Sequence, residues 1–176
     1  MVVHDTALER SLLPIILDEV KIRVGVAGRG DSLQRRLDML AAAGFAAPEH
    51  ITEALPRTLG GLAVLFVAGL DQTESQNFAE AARAAAVLVN VEDRPELCDF
   101  HVPAQLRRGD LLLAVSTSGR SPGLARILRE YLETLFGPEW DGIVEAVANA
   151  RQEWREQGLA PDEVSRRTRA MMRWLK

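Results

Sequence analysis

The sequence predicts an α/β fold: a parallel sheet with helices between its strands, followed by a helical region. Three observations lead there. The runs LAVLFVA at 62–68 and LLLAV at 111–115 are apolar throughout and VLVNV at 87–91 is apolar but for Asn90, as strands covered on both faces tend to be. Stretches with helical spacing of apolar residues separate them, and alternation of strand and helix is the mark of a parallel sheet. Beyond residue 136 the strand character stops and only helical spacing remains.

The first strand is KIRVGVA at 21–27, β-branched and ended by glycine. Gly28-Arg29-Gly30-Asp31-Ser32 follows, then a helix with Leu33, Leu37 and Leu40 on one face and Arg35, Arg36 and Asp38 on others. Gly44 is a natural helix stop. The stretch 45–61, with Pro48, Pro56 and Gly60-Gly61, is irregular and has room only for a very short strand at 45–47. The strand at 62–68 comes next, then an alanine-rich helix over 75–86, the strand at 87–91, the strand at 111–115, a small-residue loop at 116–122 and a helix over 124–136. In the tail, Ile143, Val147, Ala150 and Trp154 form one helical stripe, and Val164, Thr168, Met171 and Leu175 a second, with Gly158 and Pro161 at the turn. Such stripes need a partner surface, either their own domain or a second copy of the chain. The expected division is an α/β domain over 1–115 and a helical region over 116–176.

With 176 residues, the chain suits one domain with a helical appendage. A net charge of −4 argues against a general nucleic-acid binder, which needs a basic face. No apolar run is long enough for a membrane span, and the opening residues MVVHDTALERSLL have no apolar signal core. Cys98 is the single cysteine, which excludes an internal disulfide and fits a reducing cytoplasm. His4, His50 and His101 are far apart, and no Cys/His spacing resembles a closed zinc site, so no resident metal is expected.

Three stretches have the residue types that chemistry needs. At Gly28 and Gly30, a strand, a G-x-G turn and a helix start form a geometry for anions, because backbone N–H groups and the helix dipole point at a phosphate. In the dinucleotide fingerprint a third small residue follows, where this chain has Leu33, and an acid for the ribose stands about 20 residues on, where Glu49 is the best candidate. The residues alone leave a nucleotide site and a plain tight turn both open. The second stretch, Asn90 to Phe100, leaves the end of a buried strand, where ligands bind in open α/β sheets. Asp93 is its candidate base: if Glu92, Glu96 and Asp99 crowd it, their repulsion makes it a better proton acceptor. The alternative is a solvated acidic loop. Cys98, with no activating base beside it, reads as a small packed residue. The third stretch is Ser116-Thr117-Ser118-Gly119-Arg120-Ser121-Pro122. Ser121 and Pro122 are explained as a helix cap and first turn. The other hydroxyls and Arg120 make a plausible carboxylate site, with Arg107, Arg108 and Arg126 near in sequence.

Together, N-V-E-D-R-P-E-L-C-D-F at 90–100, V-P at 102–103 and R-R-G-D-L-L-L-A-V-S-T-S-G-R-S-P-G-L-A-R-I-L-R-E at 107–130 resemble the precorrin-2 dehydrogenase module of siroheme synthases. The resemblance starts near Leu13-Pro14, passes through the glycine turn and runs into the tail. It implies a Rossmann-type fold with a helical dimerisation region, a homodimer, and NAD-dependent oxidation of precorrin-2 to sirohydrochlorin. In many members the same site inserts ferrous iron, which is then a substrate held by the macrocycle. The family's catalytic aspartate matches Asp93, its cofactor residues after the turn match Asp31 and Ser32, and its serine in the Ser-Gly loop matches Thr117.

On that footing Asp93 is expected to be catalytic. Gly28, Gly30, Asp31, Ser32 and Glu49 are expected to hold NAD, and Asn90, Ser116, Thr117, Ser118, Gly119 and Arg120 the carboxylate-rich tetrapyrrole. Two stretches differ from the family pattern: 44–61 is short, and Gly69-Leu70-Asp71 stands where Ala-Thr-Asp is usual. The competing readings are a member that only binds or metallates a tetrapyrrole, and a regulatory protein on a degenerate nucleotide-binding fold.

Overall fold

The computed structural model describes residues 12–173, so Leu175 of the last stripe and the opening residues 1–11 lie outside it. The chain forms two compact units that divide between Val102 and Pro103.

The first unit contains β1 (Val24–Gly28), α1 (Gly30–Ala42), β2 (Glu49–His50), β3 (Val64–Ala68), α2 (Gln72–Ala84) and β4 (Leu88–Val91). The four strands form one parallel sheet in the order β2-β1-β3-β4. Alternate strand residues point to opposite faces, and the sequence uses both. Val24, Val26, Val64 and Phe66 pack against Leu33, Leu37 and Leu40 of α1. Leu65, Val67, Val89 and Val91 pack with Phe78, Ala79 and Ala82 of α2. Full burial of each such side chain contributes roughly 1.5–3 kcal/mol. Leu33, large where the fingerprint has a small residue, is taken into the α1 side of this core.

Gly44 stops α1 as expected. It has φ +96, its N–H donates to the Ala41 carbonyl and that of Phe45 to Leu40, which closes the helix end. The short second strand lies at Glu49–His50 and not at 45–47, because Phe45 packs into the core behind α1.

The second unit departs from the expected plan. Leu111–Val115 (β6) does not join the parallel sheet. It pairs antiparallel with Ala104–Arg108 (β5) in a separate two-stranded sheet. Only Gly109 and Asp110 separate the strands, with Gly109 at φ +52, and so short a connection permits only antiparallel pairing. The boundary accordingly precedes β5 and does not follow residue 115. β5, AQLRR, escapes sequence reading because only Leu106 is buried.

Three helices complete this unit: α3 (Pro122–Leu135), α4 (Trp140–Glu156) and α5 (Pro161–Met171). Ser121 caps α3 as expected, its Oγ accepting from the Leu124 N–H. The tail stripes meet each other: Val164 is 3% exposed, Arg151 reaches Thr168 at 3.4 Å, and Arg167 lies over the Trp154 ring. The larger uncovered stripe is on α3, where Leu124, Ile127, Leu128, Tyr131 and Leu135 are exposed. No helix among the described residues is long and apolar enough to cross a membrane.

Candidate functional site

The order β2-β1-β3-β4 reverses direction at β1, so the crevice beyond the carboxyl ends of β1 and β3 is the ligand position such sheets favour. Gly28 and Gly30 stand at that point. A Cβ on Gly28 would collide with the Ala68 carbonyl oxygen, the same oxygen that accepts the Arg29 N–H at 3.2 Å. Gly28 therefore lets the ends of β1 and β3 close together. Gly30 has φ +65, and a Cβ there would meet nothing within 4 Å. It borders open space. Arg29, the residue before α1, supplies no side-chain cap. The first-turn N–H groups of α1 thus have no partner in the helix and none from a cap. Backbone exposed by glycine beside uncapped amides suits a dinucleotide's diphosphate.

Asp31 and Ser32 lie in that first turn. The Ser32 Oγ accepts from Arg35 at 2.8 Å, and Arg35 also pairs with Glu92 at 3.5 Å. Arg35 thereby ties the start of α1 to the turn after β4. Gly69, on the β3 side, has φ +67 and would collide through a Cβ with the Arg29 carbonyl, which accounts for glycine in place of alanine there.

Glu49 is placed elsewhere. It is level with Gly25 and makes a two-pronged ion pair with Arg23, at 2.7 and 2.8 Å. Three strand positions, about 10 Å, separate it from the Gly28 edge. Its carboxylate is committed near the amino end of the sheet. Continuing the register brings Thr52 level with Gly28, with Glu53 next, and Glu53 is exposed.

The turn after β4 presents Asp93, exposed and with φ +58. Only three residues other than glycine have positive φ among those described, and two of them, Asp93 and Ser118, fall in the loops singled out for chemistry. Such conformations cost about 1 kcal/mol or more and persist where surroundings enforce them. Here the enforcement is visible. The Cys98 Sγ accepts the Val91 N–H at 3.2 Å and lies 3.2 and 3.3 Å from the carbonyls of Val91 and Arg94. The Asn90 Nδ2 donates to the Phe100 carbonyl at 2.9 Å. Asn90 is 7% exposed and braces the loop from inside. Burial pushes the Cys98 thiol pKa up, in keeping with a packed residue.

Two of the three acids expected to crowd Asp93 have partners of their own. Arg83 holds Asp99 at 3.0 Å, the Val89 N–H donates to the same carboxylate, and Arg35 draws Glu92 away. A cation lies near instead. Arg36 is half-buried over the Phe66 ring, and burial lowers its pKa while Glu92 and, more weakly, Asp93 oppose that. Its helical position showed only an off-face arginine in the sequence.

In the second unit, the 116–121 loop is tied to itself. The Ser116 Oγ accepts the Ser118 N–H, the Thr117 Oγ1 accepts that of Ser121, and Ser118 and Gly119 both have positive φ. Arg108 is spent on the Phe136 carbonyl and Arg126 on Glu130. Among the described residues, Arg120 and Arg107 have no carboxylate partner.

Comparison with known proteins gives these features a family. Residues 15–104 match the family described as "Putative NAD(P)-binding", and residues 108–135 match "Sirohaem biosynthesis protein central". A siroheme synthase of Thiobacillus denitrificans is 33% identical over 171 residues, covering 86% of this chain and 36% of the relative. One from Methylococcus capsulatus is 33% identical over 164 residues, covering 82% and 35%. The chain thus spans only about a third of the relatives it matches. The same fold occurs in SirC, a precorrin-2 dehydrogenase, with a TM-score of 0.67 at 19% identity over 91% of this chain and 89% of that one. The chain belongs to the family described as "Putative NAD(P)-binding".

Proposed function

We propose that this chain oxidises precorrin-2 to sirohydrochlorin in siroheme biosynthesis, with a nicotinamide dinucleotide as oxidant. The observation that carries the reading is one sheet edge bearing both parts. The glycine turn with uncapped α1 amides and the Asp93 turn leave strands β1 and β4, two strand spacings or about 10 Å apart. The nicotinamide ring, when bound, supplies a hydride acceptor. Gly28, Gly30 and the first turn of α1, with Asp31 and Ser32, hold the diphosphate side. Thr52 and Glu53 follow β2 at the level of Gly28, where an acid would meet the ribose 2′-hydroxyl, which favours NAD over NADP.

Asp93 takes the proton that leaves the macrocycle with the hydride. The same carboxylate suits the ring protons displaced when ferrous iron enters as a second substrate. Thr117, Ser118, Gly119 and Arg120 offer hydroxyl, amide and guanidinium donors to the tetrapyrrole's carboxylates. A homodimer covering the α3 stripe completes the reading, since Ile127 at 62% and Tyr131 at 59% exposed are costly to leave in water.

The deciding experiment is calorimetric titration with NAD and NADP, followed by turnover of precorrin-2. Saturable NAD binding with turnover supports the reading. Tetrapyrrole binding without dinucleotide affinity would replace it with a binding or chelatase role. For the dimer, light scattering should give twice the chain mass and Ile127→Glu should halve it; a monomeric native chain removes that part.

A further inference from the structure

The β1–α1 turn carries a cation that anion binding by backbone amides leaves unexplained. Arg29 stands between Gly28 and Gly30. Its guanidinium reaches the first turn of α2 and donates to both Glu74 oxygens, Nη1 to Oε1 at 3.1 Å and Nη2 to Oε2. Both side chains are exposed to solvent, so the pair is not locked by burial. Glu74 has a second task. Its Oε2 accepts the Asp71 N–H at 3.1 Å, while the Asp71 carboxylate accepts the Glu74 N–H at 2.9 Å, forming a capping box. That task needs an acceptor and not a charge, since glutamine serves it as well.

The ion pair therefore spans the opening between the β1 and β3 turns for no reason that either turn supplies. This opening is the point where the strand order reverses and a dinucleotide's diphosphate passes. A diphosphate on the first-turn amides of α1 comes within reach of Arg29. The geometry points to Arg29 as an exchangeable clamp: it rests on Glu74 and transfers to the diphosphate when a dinucleotide arrives. The clamp depends on the dinucleotide reading of the same turn. An exposed ion pair is worth at most roughly fivefold in an equilibrium, whereas a charge-assisted bond to phosphate is worth roughly tenfold or more, so the exchange runs toward the ligand.

The test is calorimetric titration of the full chain with NAD and NADP. Glu74→Gln keeps the capping acceptor and frees Arg29, and should tighten both ligands roughly two- to fivefold. Arg29→Gln should weaken both about tenfold. The double variant should bind as weakly as Arg29→Gln alone, because Glu74 acts through Arg29. Equal tightening by Glu74→Gln with and without Arg29 overturns the clamp, as does a response confined to NADP, which would move Arg29 to the 2′-phosphate. Native-like binding that ignores both substitutions sinks the clamp and leaves the dinucleotide reading intact. Absence of binding by both the native chain and Glu74→Gln removes both.

Discussion

Two neighbouring crossovers leave the same sheet edge and are finished in opposite ways. After β1 the chain turns through Gly28 and Gly30, and α1 begins with no side chain on its first amides. After β3 it turns through Gly69, and α2 begins inside the reciprocal Asp71–Glu74 box. Both turns need glycine, because each collides with the other's backbone once a Cβ is added at Gly28 or Gly69. Of Gly28, Gly30 and Gly69, only Gly30 borders open space. A capped helix start satisfies its amides within the protein, while an uncapped one keeps them for an anion. The difference shows that a strand, a glycine and a helix are not enough to mark a phosphate site. The proposed site combines an uncapped helix start with the open turn at Gly30.

The largest effect should come from the third turn on that edge. Asp93→Ala should lower kcat by about 10²–10⁴-fold with an unchanged circular dichroism spectrum. Near-normal turnover would leave the edge without its base and reduce the comparison to one of cofactor binding. Gly28→Ala should destabilise the fold by roughly 3 kcal/mol through its collision with Ala68, read as a fall in the denaturant midpoint. Gly30→Ala sharpens the contrast. It meets no atom, so only its positive φ costs stability, about 1–2 kcal/mol, yet NAD affinity should drop roughly tenfold. Equal affinity in that variant would mean the open turn is not the cradle.

Asp71→Ala should do the reverse, loosening α2 with a smaller loss of thermal midpoint than Gly28→Ala and leaving NAD affinity alone. The smallest effect is on pH. The Glu74 N–H holds the Asp71 pKa below its ordinary value. A depressed carboxylate stabilises the fold above its unfolded pKa of about 3.9 and loses that contribution as pH falls through the folded value. Hydrogen-exchange protection at the start of α2, relative to the intrinsic rate at each pH, should therefore fall below about pH 4, and unchanged protection at pH 3 would contradict the capping role.

Much of this is legible in the chain. The apolar runs at 62–68 and 87–91 form β3 and β4, and Gly44, Ser121 and Gly158 act where local rules put them, because caps and stops depend on neighbours a few residues away. Asp93 stands out by its place after a buried strand, and the strained turn is there. Long-range pairing is not legible. Leu111–Val115 reads as a buried parallel strand until Gly109 and Asp110 join it to the inconspicuous β5. Glu49 has the right spacing for a ribose acid, but register puts it level with Gly25 and Arg23 takes it.

The division has one physical reason. Periodicity, capping and turn chemistry are properties of adjacent residues, so the order of β1, α1, β3, α2 and β4 follows from the chain. Charge and hydrogen-bond partners are chosen across the fold, between residues far apart in sequence. That Arg29 meets Glu74, that Cys98 closes the Asp93 turn, and that Asn90 braces the loop through the Phe100 carbonyl are outcomes of packing.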